Sequence, residues 1–210
     1  MEILKNTKEG RFFLLGMRRS GTSILRRLVS ASPDVKFILF EPHDLYHSIM
    51  MDHFDRFRGP KHTEKILSFC PPPGKMIGAK IVFNPGVDAL DWVWIPKTYP
   101  DTKMIFIKRD SEDTYQSYLK ADKDSVRGVI PETVYSPMYQ WIWGTMSSFA
   151  RIFPERSLVL SYERLVENHQ GELDKIWEFL GVRGTIIPDS ILRIPENKSA
   201  FERRRKDGQE

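Results

Sequence analysis

The sequence predicts a single α/β domain with a mainly parallel central sheet flanked by helices, and two observations support that prediction. Short apolar runs of the length of buried strands alternate along the chain with segments of helical periodicity. A glycine-containing loop follows the first run and opens the first helix, as in a P-loop-like phosphate cradle. We therefore expect one domain over residues 1–210, with its core at about 11–182 and a C-terminal tail at 183–210.

Five apolar runs of strand length recur along the chain, with helical segments between them. The runs lie at 12–16, 35–40, 76–83, 103–107 and 157–162. The helical segments lie at 24–29, at 44–58, around Trp92, after Ser111, at 136–152 and at 172–180. We expect Ser111 to cap the amino end of its helix and Gly181 to cap the carboxyl end of the last helix.

The composition indicates a globular chain in a reducing compartment. Hydrophobic residues make up 40% of the sequence, and 13 Phe and 5 Trp argue against disorder. The net charge of +4 fits an anionic small molecule as well as a nucleic acid. Cys70 is the single cysteine, which excludes an internal disulfide. Residues 1–9 lack the apolar segment of a secretory signal, and no run approaches the roughly 20 residues of a membrane span, so we expect a cytoplasmic protein without membrane insertion.

The loop between the first strand and the first helix carries the donors that a bound phosphate needs. Its glycines and Ser23 fit the G-x-x-x-x-G-K-[ST] template of nucleoside-triphosphate enzymes, but Thr22 stands at the lysine position. The positive charge lies earlier in the loop, at Arg18 and Arg19. Such a loop can hold one phosphate with its amides and the helix dipole, but it lacks the lysine that phosphoryl transfer uses.

Further polar residues follow the other predicted strands. They are Glu41, the turn at Arg109 and the turn at Tyr162. In open parallel sheets, ligands bind beyond the carboxyl ends of the strands, so these groups should lie around one crevice. Lys80 lies inside an apolar strand, where a charge is costly unless it faces a partner or a cavity, and we expect it to point toward the same crevice.

These residues resemble the family of sulfotransferases that use 3′-phosphoadenosine-5′-phosphosulfate (PAPS). Three landmarks carry the resemblance: the family's 5′-phosphosulfate loop, its 3′-phosphate motif, and the strand and helix that close its core. In this chain the landmarks are residues 19–23, residues 105–113 with Ser117, and residues 158–165 with 177–181. They occur in the family's order, and with the apolar strand that precedes the loop they cover residues 12 to 181.

The resemblance implies that the chain transfers a sulfuryl group from PAPS to a hydroxyl acceptor. The residues that it assigns to the PAPS site are Arg18, Arg19, Ser20, Gly21, Thr22, Ser23, Arg109, Ser117 and Tyr162. The amides of residues 20–23 and the loop hydroxyls would hold the 5′-phosphate. Arg109 and Ser117 would bind the 3′-phosphate, since a phosphate dianion accepts charge-assisted bonds well, and Tyr162 would lie near the adenine.

The catalytic residues follow from a difference between two branches of the family. Small-molecule sulfotransferases have Lys-x-His around Lys80, but Val82 occupies the histidine position here. Tyrosylprotein and glycan sulfotransferases use a glutamate after the strand that follows the loop helix, and Glu41 matches that position. The resemblance therefore implies Glu41 as general base, Lys80 as a cation facing the sulfuryl group, and Arg19 at the bridging oxygen. His43 is the alternative base.

Other interpretations of these residues stay open. Glu41 could cap the following helix or form an ion pair, and Arg109 could be an ordinary arginine at a strand end. His43 and His47 could bind a metal, but no third ligand accompanies them, and we expect no metal. For the whole chain, the alternatives are a P-loop nucleotide kinase or hydrolase and a non-catalytic nucleotide-binding protein.

The acceptor and the partners are the least determined features. We expect the hydroxyl acceptor to contact the loop-rich segments 44–74 and 120–136. The basic run 203–206 is short and predicts a solvated end, so we expect no nucleic-acid partner. Lys198 and Ser199 could contribute to the 3′-phosphate site. A homodimer stays open.

Overall fold

The computed structural model describes residues 10–37, 75–83, 100–122 and 129–188. The strands are β1 Gly10–Met17, β2 Val35–Phe37, β3 Met76–Phe83, β4 Lys103–Lys108 and β5 Ser157–Ser161. The helices are α1 Thr22–Val29, α2 Ser111–Asp122, α3 Glu132–Ile152, α4 Tyr162–Glu167 and α5 His169–Leu180, and a 3-10 turn spans Pro154–Arg156. The five strands form one all-parallel sheet in the order β2-β3-β1-β4-β5, which confirms the predicted single α/β domain.

β1 is the central strand of this sheet. It pairs with β3 along its whole length, from Gly10 opposite Met76 to Met17 opposite Phe83. On its other side it pairs with β4 over Phe12–Gly16. All residues from Phe12 to Met17 are buried, because a parallel sheet with helices on both faces has no solvated side. The loop that follows β1 therefore starts in the middle of the sheet, at its carboxyl edge.

The alternation of side chains along β1 divides the core into two layers. Phe12 and Leu14 belong to a cluster with α1 and α5, in which Trp177 is the largest fully buried side chain. Phe13 and Leu15 belong to a cluster on the other face, packed against the tyrosines of α2 and α3.

A carboxylate clamp lies at the amino edge of the sheet. Asp34, just before β2, accepts hydrogen bonds at 2.8 Å from both Nε and Nη2 of Arg183, which follows α5. Lys75, just before β3, donates to the same carboxyl group at 3.2 Å. The bidentate pair lowers the pKa of Asp34 far below its usual range, with the lysine contributing further. These hydrogen bonds hold the segment after α5 against the starts of β2 and β3.

The ends of several helices differ from the predictions because local hydrogen bonds decide them. Ser111 is the first residue of α2 and not its cap: Asp110 Oδ1 accepts the Asp113 N–H at 3.0 Å. α3 begins four residues before the predicted start, and its first turn is closed by a bond from the Tyr135 N–H to the Pro131 carbonyl at 2.9 Å.

The region after β5 also differs from its prediction. Tyr162 was expected to end the strand, but the Ser161 hydroxyl accepts the Arg164 N–H at 3.3 Å and starts α4 at Tyr162. α5 begins three residues before its predicted start, with Asn168 as its cap. Gly181 ends α5 in a left-handed conformation, with φ of 72°, as predicted.

Several predictions lie outside the described residues. They concern Glu41, His43, His47, residues 38–40 of the second predicted strand, the helical segments at 44–58 and around Trp92, the loop at 68–74, and the tail that includes Lys198, Ser199 and residues 203–206. Within the described part of the chain, no helix combines the length and apolarity that crossing a membrane requires.

Candidate functional site

The loop after β1 is a tight turn held by its own backbone. The Ser20 N–H and hydroxyl both donate to the Met17 carbonyl, at 3.0 and 2.7 Å. The Arg18 N–H donates to the Phe83 carbonyl at 2.9 Å and so extends the pairing of β1 and β3 by one residue. Because the donors of Ser20 are used within the turn, an incoming anion would have to bind the amides that follow.

Two residues of the loop have left-handed backbone conformations. Arg19 has φ of 72°, which is uncommon for a residue with a side chain. Gly21 has φ of 96°, and a Cβ at this position would lie 2.3 Å from Cδ2 of Tyr162. Glycine is required there both by the conformation and by the contact with the tyrosine ring.

Three amides at the start of α1 lack intrahelical partners. The first intrahelical bond runs from the Leu25 N–H to the Gly21 carbonyl at 3.0 Å, so the N–H groups of Thr22, Ser23 and Ile24 point out of the helix end. Gly21 provides no side-chain cap, and the first turn contains no acidic residue. Together with the positive end of the helix dipole, this arrangement suits a phosphate.

Lys80 reaches this helix end from the neighbouring strand. It lies on β3 opposite Leu14, is 6% exposed, and donates from Nζ to the Ser23 hydroxyl at 3.1 Å. The sequence predicted that this lysine would face a partner, and the structure places it beside the loop. A positive charge therefore lies next to the unpaired amides of α1.

Arg109 lies directly after β4, on the other side of the loop. Its Nη1 donates to the Arg19 carbonyl at 3.1 Å, and its guanidinium stands 4.6 Å from the centre of the Tyr162 ring. The Arg109 carbonyl accepts a hydrogen bond from the Tyr139 hydroxyl. The Nε of Arg109 is buried without a partner in the described part of the structure. The guanidinium is thus fixed in place but retains donors for a ligand.

Ser117 and Arg19 meet at the same place. The Nε of Arg19 donates to the Ser117 hydroxyl, on the second turn of α2, at 3.1 Å. The structure therefore groups four residues of the predicted site, Arg19, Arg109, Ser117 and Tyr162. Arg19 and Ser117 are 98 residues apart in the sequence. Nothing about the sequence spacing between the loop and α2 requires this contact; it follows from the pairing of β1 with β4.

Glu163 belongs to the site, but the sequence analysis missed it. One carboxylate oxygen accepts the Asp110 N–H at 2.9 Å, and the other accepts the Ser161 hydroxyl at 2.6 Å. Its place directly after Tyr162, at the end of a strand, was a signal that could have identified it.

A stack of four tyrosines lies behind the Arg109 turn. Their rings are 5.0 to 6.4 Å apart, and they belong to Tyr115, Tyr118, Tyr135 and Tyr139. Tyr115, Tyr118 and Tyr139 bond through their hydroxyls to backbone groups, whereas the fully buried hydroxyl of Tyr135 has no partner in the described chain. Burial raises the pKa of Tyr139 to about 12, so this phenol is neutral near pH 7.

Comparison with known proteins gives one family match. The model described as the Sulfotransferase family matches residues 89–185, a range that contains Arg109, Ser117, Tyr162 and Glu163. Among curated proteins, none matches this sequence.

Solved structures resemble the chain in fold. A sulfotransferase from Alicyclobacillus acidocaldarius superposes with a TM-score of 0.57 at 18% identity, over 94% of this chain and 92% of that one. Mouse sulfotransferase SULT7A1, complexed with PAP, gives 0.52 at 18% identity over 92% of this chain and 66% of its own. The sulfotransferase domain of the Synechococcus PCC 7002 olefin synthase gives 0.52 at 16% identity, over 87% and 75%. The fold resemblance thus covers most of the chain.

Proposed function

We propose that this chain, whose residues 89–185 match the model of the Sulfotransferase family, is an enzyme that transfers a sulfuryl group from PAPS to a hydroxyl acceptor. One observation supports the proposal: the amides at the start of α1 that lack intrahelical partners lie close to the cluster of Arg19, Arg109 and Ser117, so donors for two anions are near each other. A nucleotide with phosphates on both its 5′ and its 3′ oxygens requires two such sites, whereas ATP requires only one continuous cradle.

The chemistry of the donor groups fits PAPS. In this proposal the amides of Thr22 and Ser23 hold the 5′-phosphate, since neither has an intrahelical partner. Arg109 and Ser117 hold the 3′-phosphate, with the unpaired Nε of Arg109 among the donors. Tyr162, whose ring packs against Gly21 and under the arginine, lies near the adenine. Arg18 adds positive charge at the start of the loop.

The proposed reaction is an in-line transfer. The acceptor oxygen forms a bond to sulfur, the bond between sulfur and the 5′-phosphate oxygen breaks, and 3′-phosphoadenosine 5′-phosphate (PAP) leaves. The acceptor proton passes to Glu41, or to His43 if that residue is the base. Negative charge develops on the leaving phosphate oxygen, where Arg19 and Lys80 stabilise it. We propose that no metal ion takes part, because these two cations supply the charge.

The acceptor, the location and the assembly stay at the level of predictions. We propose a small-molecule or glycan-type hydroxyl as acceptor and a cytoplasmic location, consistent with the single cysteine, Cys70. We propose neither a nucleic-acid partner nor membrane insertion, and a homodimer stays open.

The main alternative is a P-loop kinase or nucleotide hydrolase. Thr22 at the lysine position argues against it, and so does the absence of a carboxylate at the end of β4, where Lys108 and Arg109 stand. A non-catalytic nucleotide-binding protein would keep both anion sites and differ only in turnover.

Ligand-induced stabilisation separates these functions. PAP at 100 times its Kd should raise the Tm by about 5–10 °C in the presence of EDTA, whereas Mg-ATP should have little effect. The opposite result would favour the kinase. Transfer of labelled sulfate from PAPS to a panel of sugars, phenols, sterols and peptides then tests for catalysis. A protein that binds PAP and sulfates none of them would be the non-catalytic form.

The role of Glu41 can be tested by its isosteric amide. Glu41→Gln should lower kcat by about 10²–10⁴-fold while leaving the Kd for PAP unchanged, since a general base acts on the acceptor and not on the donor. Glu178→Gln, on the exposed face of α5, is the matched control. Unchanged turnover in Glu41→Gln would move the role of base to His43.

A further inference from the structure

We propose that Glu163 is a positioning residue that holds the Arg109 turn and the start of α2 in the geometry that binds a 3′-phosphate. The proposal rests on the function proposed above. Glu163 would not touch the nucleotide; it would act through Asp110, which follows Arg109 in the chain.

The location of the carboxylate relative to the sheet is the first argument. The ladder between β4 and β5 ends with Lys108 opposite Ser161. Beyond this pair both strands end: α2 begins at Ser111 after β4, and α4 begins at Tyr162 after β5. Strand pairing therefore does not fix the position of Asp110. Glu163 bridges the gap, because one oxygen accepts the Asp110 N–H at 2.9 Å and the other accepts the Ser161 hydroxyl at 2.6 Å. Both distances are typical of well-formed hydrogen bonds.

The residue that Glu163 holds also starts α2. Asp110 Oδ1 accepts the Asp113 N–H at 3.0 Å, and the Asp110 carbonyl accepts the N–H of Thr114 at 2.9 Å and its hydroxyl at 2.6 Å. Since Asp110 is the cap of α2, its position sets the position of Ser117 on the next turn of that helix. A single carboxylate therefore fixes both proposed 3′-phosphate ligands, Arg109 directly before Asp110 and Ser117 after it.

The charge of Glu163 gives a second argument. A carboxylate close to a phosphate site repels the phosphate. It therefore weakens ligand binding unless the side chain also makes contacts that favour binding. Both of its oxygens are occupied by donors from the two strand ends. The contribution of Glu163 to ligand binding should therefore come from the length of its side chain and from its two hydrogen bonds, and not from its charge.

This distinction leads to opposite expectations for two conservative variants. In Glu163→Gln, the amide oxygen can accept the Asp110 N–H and the amide nitrogen can donate to Ser161, so the bridge survives without the charge. In Glu163→Asp, the charge survives, but the side chain is one methylene shorter and cannot hold both donors. A purely electrostatic role would give the reverse order.

The experiment measures Kd by calorimetry for PAP and for adenosine 5′-phosphosulfate, which lacks the 3′-phosphate. Glu163→Ala and Glu163→Asp should weaken PAP binding by about tenfold, the equivalent of one hydrogen bond, and leave adenosine 5′-phosphosulfate within twofold. Glu163→Gln should stay within twofold of the wild type for both. Glu178→Gln on α5 controls for the loss of a carboxylate elsewhere.

Three outcomes would overturn the inference. If Glu163→Ala weakened the binding of both ligands equally, the effect of the residue would be a general structural one. If Glu163→Ala left the binding of PAP unchanged, Glu163 would have no role in the 3′-phosphate site. Glu163→Asp binding PAP better than Glu163→Gln would show that the charge matters and not the reach. If the wild type bound neither nucleotide, the proposed function itself would be wrong. Should Glu163→Ala not fold, the comparison between Gln and Asp carries the test alone.

Discussion

At the amino edge of the sheet, Arg183 and Lys75 lie against the carboxylate of Asp34, whereas at the carboxyl edge Arg19 and Arg109 contact a hydroxyl and a carbonyl. The first arrangement pairs positive charge with negative charge and stabilises the fold. In the second, neither arginine has a carboxylate partner among the described residues, and the positive charge is left for a ligand. The two ends of one sheet thus use the same kinds of side chain for stability and for binding.

The comparison predicts that removing an arginine side chain at the carboxyl edge changes the affinity for the ligand and not the stability of the fold. Arg109→Ala should weaken PAP binding by about 10–100-fold, because it removes charge-assisted bonds worth about 1.5–3 kcal/mol, and should shift the Tm little. Calorimetry and thermal melts measure the two effects. Arg164→Ala, an exposed arginine on α4, is the matched control. A large loss of Tm in Arg109→Ala would mean that this arginine serves the fold, as Arg183 does.

The next effect concerns the backbone of the loop. Gly21→Ala should destabilise the protein by about 1–3 kcal/mol, because alanine is strained at φ of 96° and its Cβ would collide with the Tyr162 ring. Gly144→Ala, inside α3 with open space around it, should be neutral or stabilising by about 0.5–1 kcal/mol. Urea unfolding of both variants checks the difference, and similar values would contradict the left-handed conformation of Gly21.

The smallest expected effect is the loss of stability at acid pH that results from protonation of Asp34 at the amino edge of the sheet. The pKa of Asp34 is lower in the folded protein than in the unfolded chain, where it is about 3.9. The ionised Asp34 therefore contributes its full stabilisation at any pH above the pKa that it has in the unfolded chain. This stabilisation is lost as the pH falls through the pKa that it has in the folded protein. Urea midpoints at pH 7 and pH 3 should differ less in Asp34→Asn than in the wild type. Asp101→Asn, an exposed control, should keep the full difference.

The sheet and the cradle could be predicted because their signals are local. Buried strands are short apolar runs, and the glycine loop follows one of them directly, so the order of strand, loop and helix was readable around Gly21. The sequence also placed Arg109 and Ser117 in one site from their spacing within one motif, and in the structure both contact Arg19. These parts of the site lie within a few residues of a recognisable pattern.

The missed features depend on distant partners or on competition between local bonds. The contact of Glu163 with the Arg109 turn is made to Asp110, which lies 53 residues away in sequence. Tyr162 was assigned to the end of the last strand as part of the run 157–162, but the Ser161 cap starts a helix there instead. The buried hydroxyl of Tyr135 could not be foreseen either, because it results from the stacking of two helices.

The cradle directly follows β1, the central strand of the sheet. Amide hydrogens of such a strand exchange with solvent only when the whole molecule opens, and ligand binding closes that route by mass action. A bound nucleotide would therefore slow deuterium uptake most in the middle of the sheet, among residues that it never touches. The loop amides beside it would be protected as well, so the footprint of the ligand would extend from the surface down to the centre of the molecule.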